Sequence, residues 1–141
     1  MRELFTDAHF TVLADDGAKV VHLVRSVAPF PSPAAIEDTF ARVAQSMLGL
    51  PSDWALLVDS RRAPMRNDPE FEERLATARA RIVARFSRVA VLVSSALGKL
   101  QVARYGREDQ SSPRVFDDEA AARAFLASRP ARPSRRAPRR E

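Results

Sequence analysis

The sequence predicts an α/β domain with the element order ββαβαβαβα. Three observations support this fold class. Two segments with strand patterns flank Asp15, Asp16 and Gly17, which together form a hairpin signal. Helical stripes then alternate with short apolar runs, and this alternation requires parallel strands joined by crossovers. The chain has 141 residues, 45% of them hydrophobic, which is enough for one domain with its own core.

The two opening strands are predicted to pair antiparallel at the edge of the sheet. Residues 9–14 alternate polar and apolar side chains, a pattern typical of a half-buried strand. Residues 19–27 form the second strand. One of its faces carries Val20, His22, Val24 and Ser26. The opposite face carries Val21, Leu23, Arg25 and Val27.

The first predicted helix begins after a proline-rich break. Ser32 is the expected N-cap and Pro33 the first helical residue, while Gly49 is expected to end the helix. Its buried stripe consists of Ile36, Phe40, Val43, Met47 and Leu48. Residues 54–58 then form a continuous apolar run before Asp59. Such a run indicates a central strand covered on both faces, so the sheet is expected to have helices on it.

The second predicted helix is capped by Asn67 or Asp68 and begins at Pro69. Its stripe consists of Phe71, Leu75, Ala78, Ile82 and Phe86. Residues 88–93 are predicted to form another buried strand. Together these segments predict central parallel strands with helices packed on the sheet.

The remaining elements are a helix over residues 95–108, a strand over residues 114–116 and a closing helix. Asp117 or Asp118 is expected to cap that closing helix. Its inward residues are predicted to be Ala121, Phe125 and Leu126. Residues 1–128 therefore form one predicted domain.

The last 13 residues differ in composition from the predicted domain. Residues 129–141 alternate Pro, Arg, Ser and Ala without periodicity, which predicts a disordered basic tail. Its arginines are Arg129, Arg132, Arg135, Arg136, Arg139 and Arg140. With Glu141 they account for the whole net charge of +5, so the predicted domain is neutral. The tail is open to three interpretations: nucleic-acid binding through phosphates, attraction to an acidic membrane, or an unselected solubilising extension.

The composition restricts the chemistry and the compartment. The chain has no cysteine, which excludes disulfides, thiolate metal sites and a cysteine nucleophile. Residues 1–10 lack the apolar core of a signal peptide, and no apolar run approaches the roughly 20 residues that cross a bilayer. A cytoplasmic protein is expected.

No catalytic, metal or cofactor site is predicted. His9 and His22 are assigned to the edge hairpin as ordinary strand residues, and neither has metal-ligand spacing. The sequence has no nucleophile elbow of the form G-x-S-x-G and no phosphate-binding loop of the form G-x-x-x-x-G-K-[ST]. We therefore expect a binding protein and not an enzyme.

The candidate binding site is the loop after the third predicted strand. Ligands of open α/β sheets gather at the carboxyl ends of strands, and this loop leads into a helix N-terminus that attracts anions. Its candidate residues are Asp59, Ser60, Arg61, Arg62, Arg66, Asn67 and Asp68. The arginines would bind a phosphate, or a carboxylate of a partner, through paired hydrogen bonds. The alternative is that they pair with Asp59, Asp68, Glu70 or Glu72.

Three features are similar to those of a known domain family. A hairpin precedes the first long helix, the strand WALLVD ends in the acidic Asp59, and VFDDEAAARAFL is a short strand that leads into an acidic-capped helix. With the element order, they resemble the STAS domain (sulfate transporter and anti-sigma factor antagonist), also called the SpoIIAA-like fold. The resemblance covers residues 9 to about 128.

The resemblance implies a non-enzymatic regulatory or scaffolding domain that binds a protein partner, such as a regulator or a kinase-like protein, and that can form a homodimer. Well-known members carry a phosphorylatable serine at the start of the helix after the third strand. This chain has Asn67, Asp68, Pro69 and Glu70 there, and Ser60 lies too early, so the phospho-switch is not expected. Asp68 is either a helix cap or a fixed negative charge. SEC14-like relatives imply a small anionic or lipidic ligand as the alternative.

Overall fold

The computed structural model describes residues 1–64, 68–94 and 114–128. Within these segments the chain forms one six-stranded mixed sheet and three helices. The strands are β1 (Arg2–Thr6), β2 (Phe10–Asp15), β3 (Val20–Arg25), β4 (Ala55–Asp59), β5 (Val89–Leu92) and β6 (Arg114–Phe116). The helices are α1 (Pro33–Ser46), α2 (Pro69–Val83) and α3 (Glu119–Ala127). None of these helices is long and apolar enough to cross a membrane.

The strands follow one another across the sheet in chain order, from β1 to β6. The pairs β1–β2 and β2–β3 are antiparallel, whereas β3, β4, β5 and β6 pair in parallel. This arrangement confirms the predicted α/β class, the antiparallel strands near the N-terminus and the parallel strands after them.

The strand β1 at the edge of the sheet was not predicted, and the hairpin was wrongly placed at that edge. The pairing of β1 with β2 shifts register between Glu3 and Phe5. Because the shift interrupts the alternation of faces, the adjacent Leu4 and Phe5 both pack against the core. A strand that places two consecutive apolar residues on one face does not show the period-2 pattern by which strands are recognised.

The sheet separates two hydrophobic clusters. Alternate residues of the parallel strands, such as Leu23, Leu56 and Val91, pack with α1 and α2 on one face. Residues of the opposite parity, such as Leu57 and Leu92, pack with α3 on the other face. Both faces of β4 and β5 are covered, which explains their continuous apolar runs.

The predicted start of α1 is confirmed, and its end differs from the prediction. The Ser32 side chain accepts a hydrogen bond from the Ala35 backbone N–H at 3.2 Å, and Pro33 is the first helical residue. The helix ends at Ser46, before Gly49, and Met47 is its C-cap. Leu48 therefore lies in the turn that follows and is exposed, contrary to the predicted stripe.

The two later helices begin at aspartates. The Asp68 carboxylate accepts hydrogen bonds at the start of α2, and Asp118 accepts one from the Ala121 N–H at 2.8 Å. Ala122 and Leu126 face inward on α3, whereas Ala121 is exposed, contrary to the prediction. Residues 120–122 are all alanine, so the hydrophobic pattern does not show which of them faces inward. The predicted helix over residues 95–108 and the predicted disordered tail over residues 129–141 lie outside the described residues.

Candidate functional site

The backbone after β4 is held against the carboxyl end of β5. The Ser60 N–H donates to the Leu92 carbonyl at 2.8 Å, and the Ala63 N–H donates to the Ser60 carbonyl at 3.1 Å. The Asp59 carboxylate also accepts from the Arg61 N–H at 3.2 Å. The first turn of the predicted binding loop is therefore closed by short-range hydrogen bonds.

A chain of four charged side chains connects this loop to α3. Arg61 donates from Nε to Asp59 Oδ1 at 3.0 Å and from Nη2 to Asp59 Oδ2 at 2.8 Å. The same Nη2 donates to Glu119 Oε1 at 3.1 Å. Glu119 Oε2 accepts from Arg123 Nε at 2.8 Å. We call Asp59, Arg61, Glu119 and Arg123 the ion-pair chain.

The ion-pair chain stabilises the charged forms of its members. Hydrogen bonds from Arg123 are the main reason why the pKa of Glu119 is lowered. For Asp59, burial favours the neutral form, but the hydrogen bonds and charge of Arg61 outweigh it and lower the pKa. The pKa of Arg61 is raised, chiefly by its hydrogen bonds to Asp59. Glu119 and the two arginines are well exposed, whereas Asp59 is only 18% exposed, so the contacts of Asp59 are the least screened by solvent.

The predicted site residues have different roles in the structure. Asp59 and Arg61 are paired with each other, as the alternative interpretation of the arginines predicted. Ser60 is half-buried, and Arg62 is exposed and makes no ion pair within the described part of the chain. Asp68 is the N-cap of α2. Arg66 and Asn67 lie outside the described residues.

Sequence reasoning missed the two members of the ion-pair chain that α3 contributes. Glu119 was interpreted only as part of the acidic start of the last helix, and Arg123 was not singled out. Glu119 and Arg61 are 58 residues apart in the chain, and no local pattern connects them. The sheet brings them together because β4 is close to α3, which packs on its face.

A recess of about 80 Å³ lies on the opposite face of the sheet, beside the same loop. Its polar lining comes from Arg25, Ser60 and Arg79, and its apolar lining includes Leu23, Val58 and Leu75. A larger groove of about 410 Å³ runs between α1 and α2. The ion pair between Glu37 and Arg74 joins the two sides of that groove, at 3.0 Å, and it lies away from the loop.

The positions of the two histidines differ from those predicted from the sequence. His22 lies on β3, third of six strands, and is buried, so its prediction as an edge residue is wrong. Its Nε2 is buried without a hydrogen-bond partner. Burial is the main cause of its lowered pKa, and the charge of Arg123 adds to the effect. His9 lies just before β2 and stacks on Phe30, with 4.4 Å between the ring centroids.

Removing the Asp59 carboxylate is expected to destabilise the fold measurably. Asp59→Ala leaves Arg61 without the partner for its Nε–H and for its backbone N–H, and we expect a loss of about 1–2 kcal/mol in the free energy of unfolding. The measurement is urea unfolding at pH 7. Asp38→Ala is the matched control, because Asp38 pairs with Arg42 on the exposed side of α1, where a loss of about 0.5 kcal/mol or less is expected. Equal losses in the two variants would contradict this account.

Within the described segments, no three His, Asp or Glu side chains are grouped so that they could hold a metal ion. Comparison with known proteins gives no match, whether with family models, with curated protein sequences or with solved structures.

Proposed function

We propose that this protein is a non-catalytic regulatory or scaffolding domain of the STAS kind, and that it binds a protein partner through the loop after β4 and the start of α2. The observation that carries the proposal is the ion-pair chain, which joins the start of the loop, at Asp59 and Arg61, to α3 on the sheet. A recognition surface that is ordered before binding loses less conformational entropy when the partner arrives.

The arrangement of the strands supports the family part of this proposal. The antiparallel pair β2–β3 precedes the first helix, and parallel strands follow with helices between them. β4 ends at Asp59 and β6 leads into the acidic-capped α3, as in the family pattern described above. The extra strand β1 lies outside that pattern.

The exposed charges of this surface support protein recognition. Arg62 is exposed on the loop, while Asp68, Glu70 and Glu73 are exposed around the first turn of α2. Among the described residues, this surface therefore has an exposed positive group on the loop and exposed negative groups at the start of α2. Such a mixed pattern matches a complementary protein surface better than it matches a uniform polyanion, because the carboxylates would repel phosphates. Asp68 caps α2 and carries its negative charge at the position where family members have serine.

The test is affinity capture from the native host with the full chain as bait. Arg62→Glu reverses the exposed charge of the loop and removes no hydrogen bond of the ion-pair chain, and we expect at least a tenfold loss of the captured partner. Arg42→Glu is the matched control on α1, and its capture is expected to equal that of the unmodified chain. If all three baits retain the same proteins in the same amounts, this surface is not the binding site.

Binding through the arginine tail remains a separate prediction. Residues 129–141 lie outside the described residues. The capture experiment includes a chain that ends at residue 128, which is expected to keep the partner if the loop surface is responsible.

A further inference from the structure

Arg25 is a buried arginine whose guanidinium is only partly used by the protein. It lies at the end of β3 and is 7% exposed. Its Nη1 donates to the Ser26 carbonyl at 2.8 Å and to the His9 carbonyl at 3.4 Å. The guanidinium carbon also lies 4.6 Å from the ring centroid of Phe30 and 5.6 Å from that of Phe10.

The other edge of this guanidinium is available to a ligand. Among the described residues, none accepts a hydrogen bond from Arg25 Nε or Nη2. These two groups point in the same direction and match the two oxygens of a carboxylate or phosphate. The same chain uses this edge elsewhere, because Arg2 and Arg61 both donate from Nε and Nη2 to an aspartate.

No carboxylate of the described chain occupies this position. Burial lowers the pKa of Arg25, and the charge of Asp7 only partly offsets this effect. The Asp7 carboxylate itself accepts from the His9 and Phe10 backbone N–H groups. Among the described side chains, His22 Nε2 is the one nitrogen or oxygen that is fully enclosed and has no hydrogen-bond partner. Nε and Nη2 of Arg25 also have no partner within the described part of the chain. They are therefore not fully enclosed and keep some access to solvent. Arg25 is one of the residues that line the recess described above.

The recess itself has the composition of an anion site. Among the described residues, its lining contains Arg25, Arg79 and Ser60 and no acidic residue, and most of the other lining residues are apolar. A volume of about 80 Å³ accommodates one oxyanion group together with the nearest part of the substituent that carries it. Burial weakens the competition from water and strengthens a charged hydrogen bond made there.

We propose that this recess binds an oxyanion headgroup, a carboxylate or a phosphate on an apolar substituent, through a two-point hydrogen bond to Nε and Nη2 of Arg25. Ser60 supplies a further hydroxyl, and Leu23, Val58 and Leu75 contact the apolar part. The site lies across the sheet from the ion-pair chain. It is therefore a binding function beyond the partner surface proposed above, and either one can exist without the other.

The test uses the full chain with benzoate and phenyl phosphate as probes and benzamide as the neutral control. At constant ionic strength, we expect either acid to raise Tm saturably and to shift the Arg25 Nε–H resonance in NMR spectra. Benzamide has the shape of benzoate without its charge and should do neither. The acid with the lower Kd identifies the headgroup.

Two variants locate the binding. Arg25→Lys keeps the positive charge but loses the paired donors, so we expect at least a tenfold weaker Kd. Leu75→Trp fills the recess from a half-buried position and leaves Arg25 in place, so binding is also expected to be lost, which keeps the test decisive if Arg25→Lys does not fold. Arg42→Lys is the control and should bind as the unmodified chain does. The proposal is overturned if neither acid binds more tightly than benzamide, or if Leu75→Trp binds unchanged.

Discussion

Leu56→Ala is expected to lower the free energy of unfolding by about 3–5 kcal/mol, the largest effect of any single change considered for this chain. Leu56 is fully buried on β4, the fourth of six strands, and packs in the cluster beneath α1 and α2. The loss combines the transfer free energy of the deleted methyl groups with the cavity that remains, because neighbours on a central strand cannot move in to fill it.

The same substitution at Leu48 is the matched control. Leu48 is 62% exposed in the turn after α1, and Leu48→Ala is expected to change the free energy of unfolding by no more than about 0.5 kcal/mol. Urea unfolding followed by circular dichroism measures both variants. A loss below about 1 kcal/mol for Leu56→Ala would show that β4 is not part of the tightly packed core.

Acidification below about pH 6.5 is expected to destabilise the protein through His22. The pKa of His22 is lowered in the folded state, so the unfolded chain binds a proton at a higher pH than the folded one does. The stability associated with the neutral ring is therefore complete above the unfolded pKa. It decreases as the pH falls from there toward the folded pKa, with a slope that approaches about 1.4 kcal/mol per pH unit.

The surroundings of His22 determine this direction. Burial is the largest influence, and Arg123 acts in the same sense. The charges of Asp15, Glu119 and Asp59 favour the protonated ring but do not outweigh burial. The pKa values of Asp59 and Glu119 are themselves lowered, so their stabilising contributions are complete above about pH 5 and are lost only at lower pH. As the pH falls, the contribution of His22 therefore begins to decrease before those of the two carboxylates do.

His22→Leu tests this prediction with a side chain that has no ionisable group. It removes the unpartnered Nε2, so we expect equal or greater stability at pH 7 and a much smaller change in stability between pH 7 and pH 5. Urea unfolding at a series of pH values gives both slopes. If the unmodified chain and the variant lose stability equally on acidification, His22 is not the responsible group.

Much of the fold could be predicted from local patterns. Ser32 and Asp68 act at short range, because a side-chain oxygen can reach only the N–H groups two or three residues ahead. The continuous apolar run on β4 also acts locally, since it indicates that both faces of this strand are buried. β1 was missed because its register shift hides the alternation. The turn signal at residues 15–17 correctly placed the turn between β2 and β3, although the positive φ of 59° lies at Lys19.

The candidate site could be predicted only in part. The pairing of Arg61 with Asp59 joins residues two apart, so the sequence alone offers it as one alternative. Its second partner, Glu119, is 58 residues away and becomes a neighbour only because α3 packs on the sheet. Arg25 was placed correctly on a strand face, but its position does not reveal which guanidinium edge the protein uses.

The sequence by itself determined the α/β class, the helix starts and the parallel centre of the sheet, because propensity, capping and hydrophobic period act over a few residues. The tertiary structure alone decided which charged groups of distant elements meet, which histidine is buried and which donors of Arg25 have no acceptor among the described residues. These features depend on packing between elements that are far apart in the chain. A local pattern of side chains does not show which distant elements will pack together.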